Sequence, residues 1–289
     1  MSILAVTGVQ VNDRDCTGEL LFVASPQVEF SWRIETDSPD SRQCGYQIVA
    51  SGADGRLLWD SGRVAGTACR GVPWRGAGLK AGDRVSFCIR VFDRDGSPSP
   101  FSVENTFEVA LLSPGDWHGA RWIRFAGNRC AAAAPAPHFR REFTVGGGLS
   151  RAVLSITARG VFEPSLDGTR IGSDLLAPGW TDFRKQIQFL SYDLSGRLPP
   201  GRHTLGVILA EGWCCGNLTV LRMRNVYHPN PELLAHLELV YRDGRRESVV
   251  TDSGWKTATG PILGSDLYDG EDYDARLEMP GWNTPGFDD

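Results

Sequence analysis

The chain has 289 residues, a length that favours two domains, and its 34 glycines and 17 prolines are typical of many short strands joined by turns. Its net charge of −5 argues against a nucleic-acid partner or an anionic membrane surface, because no basic surplus exists to displace counterions. No apolar run approaches the length of a membrane span, and the first residues lack the order of a signal peptide.

The cysteines indicate a cytoplasmic protein. The seven cysteines are irregularly spaced, which fits neither a disulfide framework nor a zinc site, so we expect reduced thiols. Cys214 and Cys215 are adjacent in the sequence, and adjacent residues on a strand point to opposite faces. We therefore expect one of these two thiols to be buried and the other to face outward.

Apolar and polar residues alternate through the first third of the chain. From Val28 to Glu35 the apolar side chains fall on one face and the polar ones on the other, as a half-buried antiparallel strand requires. Asp54-Gly55 and Asp95-Gly96 are hairpin-type dipeptides. Further strands are predicted at residues 44–50, 57–64, 84–93 and 107–112. About five to seven short strands in about 110 residues favour a sandwich of the immunoglobulin or fibronectin type III kind over residues 1–113.

Residues 114–289 show the same period of two, so the predicted fold class is all-β throughout. A new strand-like stretch is predicted at residues 117–125, and hairpin turns at Asp167-Gly168 and Asp243-Gly244. Residues 203–210 are apolar or small on both faces, so we expect a central strand that is covered on both sides. The other predicted strands are residues 139–145, 152–158, 163–171, 186–192, 233–241 and 247–252. With about eight strands or more, a jelly roll fits this second domain best.

The sequence contains no recognisable catalytic constellation. It has no glycine-rich phosphate loop, no nucleophile elbow and no histidine pair at metal-ligand spacing. Glycoside hydrolysis needs paired carboxylates, but isolated acids on β-sandwiches usually lie on solvated faces. No residue is therefore predicted to be catalytic.

One acidic cluster lies between Tyr268 and Arg276. Its carboxylates repel one another unless they are solvated, paired with arginine or shared by a hard cation. The three alternatives are a solvated or arginine-paired loop, a calcium site, and a polar wall for a sugar. The candidate metal ligands are Asp269, Glu271 and Asp274.

Aromatic residues next to polar turns form a second cluster of candidates. Sugars present apolar C–H faces that stack on Trp or Tyr, and hydroxyls that bind acids and amides. Three loops combine such residues, and they supply the candidate carbohydrate ligands Trp180, Asp182, Trp213, Asn225 and Tyr227. The structural alternative is that Trp180 and Trp213 plug the ends of a sandwich.

Several segments, taken in order along the chain, resemble the amino-terminal region of bacterial α-L-rhamnosidases. They include Leu58-Trp59-Asp60-Ser61-Gly62, the stretch from Leu175 to Asp182, the stretch from Gly206 to Trp213, and the acidic cluster from Tyr268 to Arg276. The resemblance implies a fibronectin-like sandwich, then a jelly-roll domain that takes part in substrate recognition, and a large (α/α)₆ barrel further along that carries the catalytic acid and base. In some members the jelly roll binds L-rhamnose with the help of calcium.

The sequence ends at Asp289, before such a barrel could begin. We therefore expect a non-catalytic amino-terminal fragment of an α-L-rhamnosidase with a structural role and a role in substrate recognition. The alternatives are a free-standing carbohydrate-binding module and a β-sandwich interaction protein. The implied partners are a rhamnose-containing glycan or glycoside and the missing barrel, with no nucleic acid and no membrane. No cofactor is required, and calcium is an optional ion.

Overall fold

The structure is a computed structural model that describes residues 4–37, 41–127 and 134–288. Contacts within the chain divide it into two units, Met1–Asp116 and Trp117–Asp289, and a short 3-10 turn, Pro114–Trp117, spans the division. The sequence-based division falls at residues 113 and 114. Both units consist almost wholly of strands, which confirms the all-β class. In the described part of the chain, no helix is long and apolar enough to cross a membrane.

The first unit is a sandwich of two sheets. One sheet has the order β2-β1-β4-β8, and the other has the order β3-β10-β9-β5-β6 with β7 also paired to β5. All pairings are antiparallel except that of β10 with β3. The strands are β1 (Leu4–Val11), β2 (Arg14–Asp15), β3 (Leu21–Val23), β4 (Glu29–Thr36), β5 (Gly45–Gly52), β6 (Leu57–Asp60), β7 (Val64–Ala65), β8 (Val72–Pro73), β9 (Arg84–Phe92) and β10 (Asn105–Val109).

The inward side chains of these two sheets form one apolar core. Phe30 on β4 lies 4.8 Å from Phe87 on β9, measured between ring centres, and Phe107 on β10 joins them. Ile48 and Ile89 are fully buried beside these rings in the same cluster. The apolar residues whose alternation predicts these strands are therefore the residues that fill the core.

The second unit contains a larger two-sheet sandwich of jelly-roll type and two separate hairpins. A five-stranded sheet has the order β14-β13-β16-β11-β21, and a four-stranded sheet has the order β15-β12-β19-β20. The strands are β11 (Pro137–Val145), β12 (Leu149–Arg159), β13 (Val161–Leu166), β14 (Thr169–Arg170), β15 (Leu190–Asp193), β16 (Gly201–Ala210), β17 (Asn217–Leu218), β18 (Met223–Arg224), β19 (Glu232–Tyr241), β20 (Arg246–Val250), β21 (Lys256–Thr259), β22 (Ile262–Asp266) and β23 (Gly270–Tyr273). The helical turns are α1 (Gly212–Cys215) and the 3-10 turns Ser195–Arg197 and Ala275–Leu277.

Strand β16 occupies the middle of the five-stranded sheet, as its sequence predicts. Leu205, Val207 and Leu209 point into the core between the two sheets. On the opposite face, a Cβ added at Gly206 would lie only 2.7 Å from the Asn283 side chain and 3.0 Å from that of Trp282. The strand is therefore covered on both faces, and only a residue without a side chain fits at position 206.

Two local predictions are wrong. Residues 117–125 do not form a strand, because His118 and Gly119 have positive φ and only an isolated bridge joins Ile123 to Leu233. Cys214 and Cys215 do not lie on a strand either. They belong to α1, where both side chains are buried. The described cysteines are free thiols, and Cys130 lies outside the described residues.

Candidate functional site

The chain leaves β16 through a turn that only glycine allows. Gly212 has φ +51°, and a Cβ there would lie 2.4 Å from Cγ1 of Val161. The turn starts α1, whose two cysteines pack with Phe183 in a small apolar cluster. Trp213 is half-buried at the edge of this cluster, together with Tyr227. The helical turn therefore places the Trp213 indole beside the sandwich and not in its core.

Three of the five predicted carbohydrate ligands come together in one aromatic surface. The indole rings of Trp180 and Trp213 are stacked, with ring centres 5.2 Å apart and an angle of 3° between their planes. The indole N–H of Trp180 donates to the Tyr227 hydroxyl at 3.4 Å. We call these three residues the aromatic platform. Trp180 is 54% exposed, so it does not plug the end of the sandwich.

Charged groups lie next to the aromatic platform. The carboxylate of Asp182 accepts from the Arg184 guanidinium at 3.0 Å, and this bond lowers the pKa of Asp182. The same guanidinium lies over the Tyr227 ring, 5.3 Å from its centre. Arg184 therefore links the predicted ligand Asp182 to Tyr227 of the platform. Sequence analysis did not identify Arg184 as a neighbour of the site.

Asn225 is exposed on a backbone of positive φ, directly after β18. It lies two positions before Tyr227 in the chain. Within the described ranges, no hydrogen bond joins its side chain to the platform. Only its position in the sequence, close to Tyr227, therefore links Asn225 to the platform.

A buried ionic network holds the adjoining hairpin β17–β18. The carboxylate of Glu211, 3% exposed, pairs with the Arg224 guanidinium, which also lies 3.4 Å from the carboxylate of Asp266. Asp266 accepts the backbone N–H of Asn217 at 2.7 Å. Sequence analysis singled out the loops that contain Trp213 and Asn225 but not this network, because Asp266 is 42 positions from Arg224.

The network fixes the base of a loop whose tip is apolar and exposed. Val220 is 93% exposed and Leu221 is 77% exposed, and the neighbouring Met223 is exposed as well. The Tyr268 hydroxyl accepts the backbone N–H of Thr219 at 3.1 Å, which ties the loop to the hairpin β22–β23. We call residues 219–223 the apolar loop.

The structure pairs two of the three predicted metal ligands with separate arginines and leaves the third exposed. Asp269 pairs with Arg222 and accepts from the Asn217 amide at 2.8 Å. Asp274 caps the final 3-10 turn and binds Arg276 at 2.6 Å, while Glu271 lies exposed on β23. Among the residues that the structure describes, no group of three His, Cys, Asp or Glu side chains is arranged to hold a metal ion. Two acids of the cluster, Asp269 and Asp274, are therefore paired with arginine, which is one of the three alternatives.

Comparison with known proteins places both units in one family. Residues 6–113 match the model of the Rha78A-like N-terminal immunoglobulin domain, and residues 147–289 match that of the alpha-L-rhamnosidase N-terminal domain. Two curated relatives are alpha-L-rhamnosidases, one from Alteromonas sp. at 34% identity over 93% of this chain and one from Formosa agariphila at 32% over 90%. This chain spans 30% and 29% of their respective lengths.

A solved structure agrees with the sequence comparisons. The native α-L-rhamnosidase from Aspergillus terreus superposes on 99% of this chain with a TM-score of 0.91 and 32% sequence identity, and the chain covers 33% of that protein. The order of the two matched domains, with the immunoglobulin domain first, is the order that the sequence predicts.

Proposed function

Since the chain consists of the amino-terminal domains of the α-L-rhamnosidase family, we propose that its second unit is a non-catalytic accessory domain that holds a rhamnose-containing glycan or glycoside on the aromatic platform. The observation that carries the proposal is the stacked pair. Trp213 stacks on the Trp180 ring, and Trp180 is still 54% exposed, so much of its surface is open to a ligand.

The chemistry around the stack suits a sugar. An apolar C–H face of a pyranose packs on an indole, and a rigid indole loses little conformational entropy on binding. Trp213 behind Trp180, and the hydrogen bond from the Trp180 indole to Tyr227, fix the orientation of the exposed ring. Asp182 and Arg184 supply an acceptor and donors for hydroxyl groups at the edge of the platform.

Cleavage of the glycosidic bond belongs, in this proposal, to other parts of the whole protein. The curated relatives are named alpha-L-rhamnosidases and are about three times longer than this chain. Glycoside hydrolysis needs two carboxyl groups on opposite sides of the scissile bond. The acids near the platform are instead engaged by arginines, Asp182 by Arg184 and Glu211 by Arg224.

The proposal is tested by titrating the full chain with L-rhamnose in a calorimeter. We expect weak binding that Trp180→Ala reduces at least about tenfold, a loss of roughly 1.4 kcal/mol, because the stacking face is removed. Tyr273→Ala is the matched control, since Tyr273 is an equally exposed aromatic residue on β23. Adding EDTA should leave the affinity unchanged, because arginines already pair with Asp269 and Asp274.

Absence of heat at tens of millimolar L-rhamnose would remove the proposal. Equal losses in Trp180→Ala and Tyr273→Ala would place the sugar elsewhere. Binding that disappears with EDTA would restore the calcium alternative at the acidic cluster.

The apolar loop favours a second candidate function, a structural role against a further domain of the same polypeptide. Contiguous exposed apolar patches commonly mark surfaces that meet another protein surface. Val220 and Leu221 are adjacent and exposed, and the ionic network below them holds the loop in place. In the relatives, more than two thirds of the chain lies outside the region matched here, which leaves room for such a surface.

The test of this second candidate uses the double variant Val220→Ser with Leu221→Ser. In an enzyme that carries these two units together with its catalytic domain, we expect the variant to lower the melting temperature by several degrees. In the chain of 289 residues alone it should change the free energy of unfolding by less than about 0.5 kcal/mol, because both side chains are exposed there. An unchanged melting temperature in the longer enzyme would contradict the structural role.

A further inference from the structure

Two Asp-x-Arg segments of the second unit look alike in the sequence but differ in the structure. Asp182 and Arg184 are the ends of one segment, and Asp274 and Arg276 are the ends of the other. The Arg276 guanidinium binds both oxygens of its carboxylate, Oδ1 from Nε at 2.8 Å and Oδ2 from a terminal nitrogen at 2.6 Å. That ion pair is closed, because each carboxylate oxygen already has a guanidinium partner.

The ion pair between Asp182 and Arg184 is open. The Oδ1 atom of Asp182 accepts from Nε of Arg184 at 3.0 Å and from the backbone N–H of Arg184 at 3.2 Å. Nowhere among residues 4–37, 41–127 and 134–288 is there a hydrogen-bond partner for Oδ2 of Asp182 or for the terminal nitrogens of Arg184. The pair therefore combines a free acceptor with free donors, and we call these two residues the open pair.

Both side chains of the open pair are accessible to a ligand from solvent. The Asp182 side chain is 34% exposed and the Arg184 side chain is 67% exposed. The hydrogen bond from Arg184 lowers the pKa of Asp182, so the carboxylate is charged at pH 7. Hydrogen bonds to charged groups are stronger than those between neutral groups. A hydroxyl group that reaches either side chain therefore finds a strong partner.

The open pair lies at the edge of the aromatic platform. The Arg184 guanidinium lies over the Tyr227 ring, 5.3 Å from its centre, and the Tyr227 hydroxyl accepts from the Trp180 indole at 3.4 Å. Phe183, between the two residues of the open pair, is buried, and its ring centre is 5.5 Å from that of Tyr227. Only the Tyr227 side chain therefore separates the guanidinium from the exposed indole.

We propose that the open pair determines the specificity of the aromatic platform and selects neutral glycosides that carry two adjacent free hydroxyl groups; this inference rests on the proposed sugar binding. One hydroxyl group donates to Oδ2 of Asp182, and its neighbour accepts from a terminal nitrogen of Arg184. A sugar whose C–H face packs on Trp180 directs hydroxyl groups outward from its ring edge. An isolated hydroxyl group can use only one half of the pair. The pair has no net charge, which suits a neutral ligand.

The test is a calorimetric titration of the full chain with methyl α-L-rhamnopyranoside and with its 3-deoxy analogue. The free hydroxyl groups of the methyl glycoside are those at C2, C3 and C4, so every vicinal diol that it contains includes the hydroxyl group at C3. Removing that group abolishes each diol and keeps the apolar C–H face. We expect the 3-deoxy analogue to bind at least about fivefold more weakly, because it loses a hydrogen bond to a charged group.

Two variants assign this preference to the open pair. In Arg184→Met and in Asp182→Ala only one half of the pair remains, so both ligands make a single hydrogen bond and should bind within about twofold of each other. Arg276→Met is the matched control, because it removes the guanidinium of the closed pair, and it should keep the native preference. Trp180→Ala should weaken both ligands by the same factor, since both pack on the indole.

The outcomes separate this inference from the proposed function. Equal affinities of the native chain for the two ligands, with both weakened by Trp180→Ala, would overturn the role of the open pair and support sugar binding on the platform. A preference that survives unchanged in both Arg184→Met and Asp182→Ala would also overturn that role. Absence of heat with either ligand would overturn the inference and the proposed function together.

Discussion

At the scale of single residues, Gly212 shows how one backbone position creates the candidate site. The chain must leave the central strand β16 and turn sharply into α1 to bring Trp213 beside Trp180. The turn needs a positive φ, and the space where a Cβ would stand is occupied by Val161. Both conditions select glycine.

Gly212→Ala should therefore destabilise the second unit by about 3 kcal/mol. The left-handed backbone accounts for roughly 1–2 kcal/mol of this loss, and the contact with Val161 accounts for the remainder. Gly244→Ala is the matched control, because Gly244 also has a positive φ but nothing lies near its missing Cβ. Denaturant unfolding of both variants measures the difference. Equal losses in the two variants would show that the contact with Val161 has no energetic effect.

His236 makes the stability of the second unit depend on pH. It is buried, its Nε2 lies 3.1 Å from the Ser248 hydroxyl, and the tilted ring of His118 lies 4.8 Å away, measured between ring centres. Burial, together with repulsion from His118, lowers the pKa of His236 from 6.5 to about 4. Between these two values the unfolded chain binds the proton more readily than the folded chain does.

The free energy of unfolding should therefore fall as the pH drops from about 6.5 to about 4, by at most roughly 3 kcal/mol from this residue. Above pH 6.5 the contribution is fully present. His236→Gln keeps a polar group toward Ser248 and does not titrate, so its unfolding free energy should change less across the same window. Parallel pH profiles for the native chain and His236→Gln would contradict the prediction.

At the scale of elements, the hairpin β17–β18 depends on charges more than on apolar packing. Each strand has only two residues, too few to be stable alone. Arg224 holds the hairpin by pairing with Glu211 before it and with Asp266 on β22. The network thus joins α1, β18 and β22 into one support for the apolar loop.

Arg224→Met should destabilise the second unit by about 3–5 kcal/mol, because it leaves two buried carboxylates without their cation. Arg222→Met is the matched control. Arg222 pairs with Asp269 at the exposed end of the same hairpin, so its loss should amount to less than about 1 kcal/mol. Thermal or denaturant unfolding of the two variants tests the contrast, and a similar small loss in both would show that the buried pairing does not stabilise the hairpin.

The elements also show what sequence alone can predict. Long strands such as β4 and β9 follow from the alternation of apolar and polar residues, because each fills a core with every second residue, and β16 follows from two faces that are both apolar or small. The short strands of β17–β18 and β22–β23 have no such pattern, since partners distant in the sequence hold them. Aromatic residues next to polar turns predicted Trp180, Trp213 and Tyr227 as ligands, but only the tertiary fold makes Trp180 and Trp213 stack.

At the scale of the whole molecule, two sandwiches with separate cores follow each other along the chain, and the second carries all the features proposed here as sites. The net charge of −5 suits neutral ligands such as sugars better than polyanions. The proposed binding of a rhamnose-containing ligand draws on two observations, the match of both units to amino-terminal domains of α-L-rhamnosidases and the exposure of Trp180.

The aromatic platform is tested most directly by the indole N–H resonances of the nine tryptophans during a titration with L-rhamnose. We predict that the resonances of Trp180 and Trp213 shift in a saturable way. The resonance of Trp255, a buried indole that donates to the Val250 carbonyl at 2.8 Å, should stay in place. A titration in which neither Trp180 nor Trp213 responds, or in which other indoles respond instead, would contradict the proposed function.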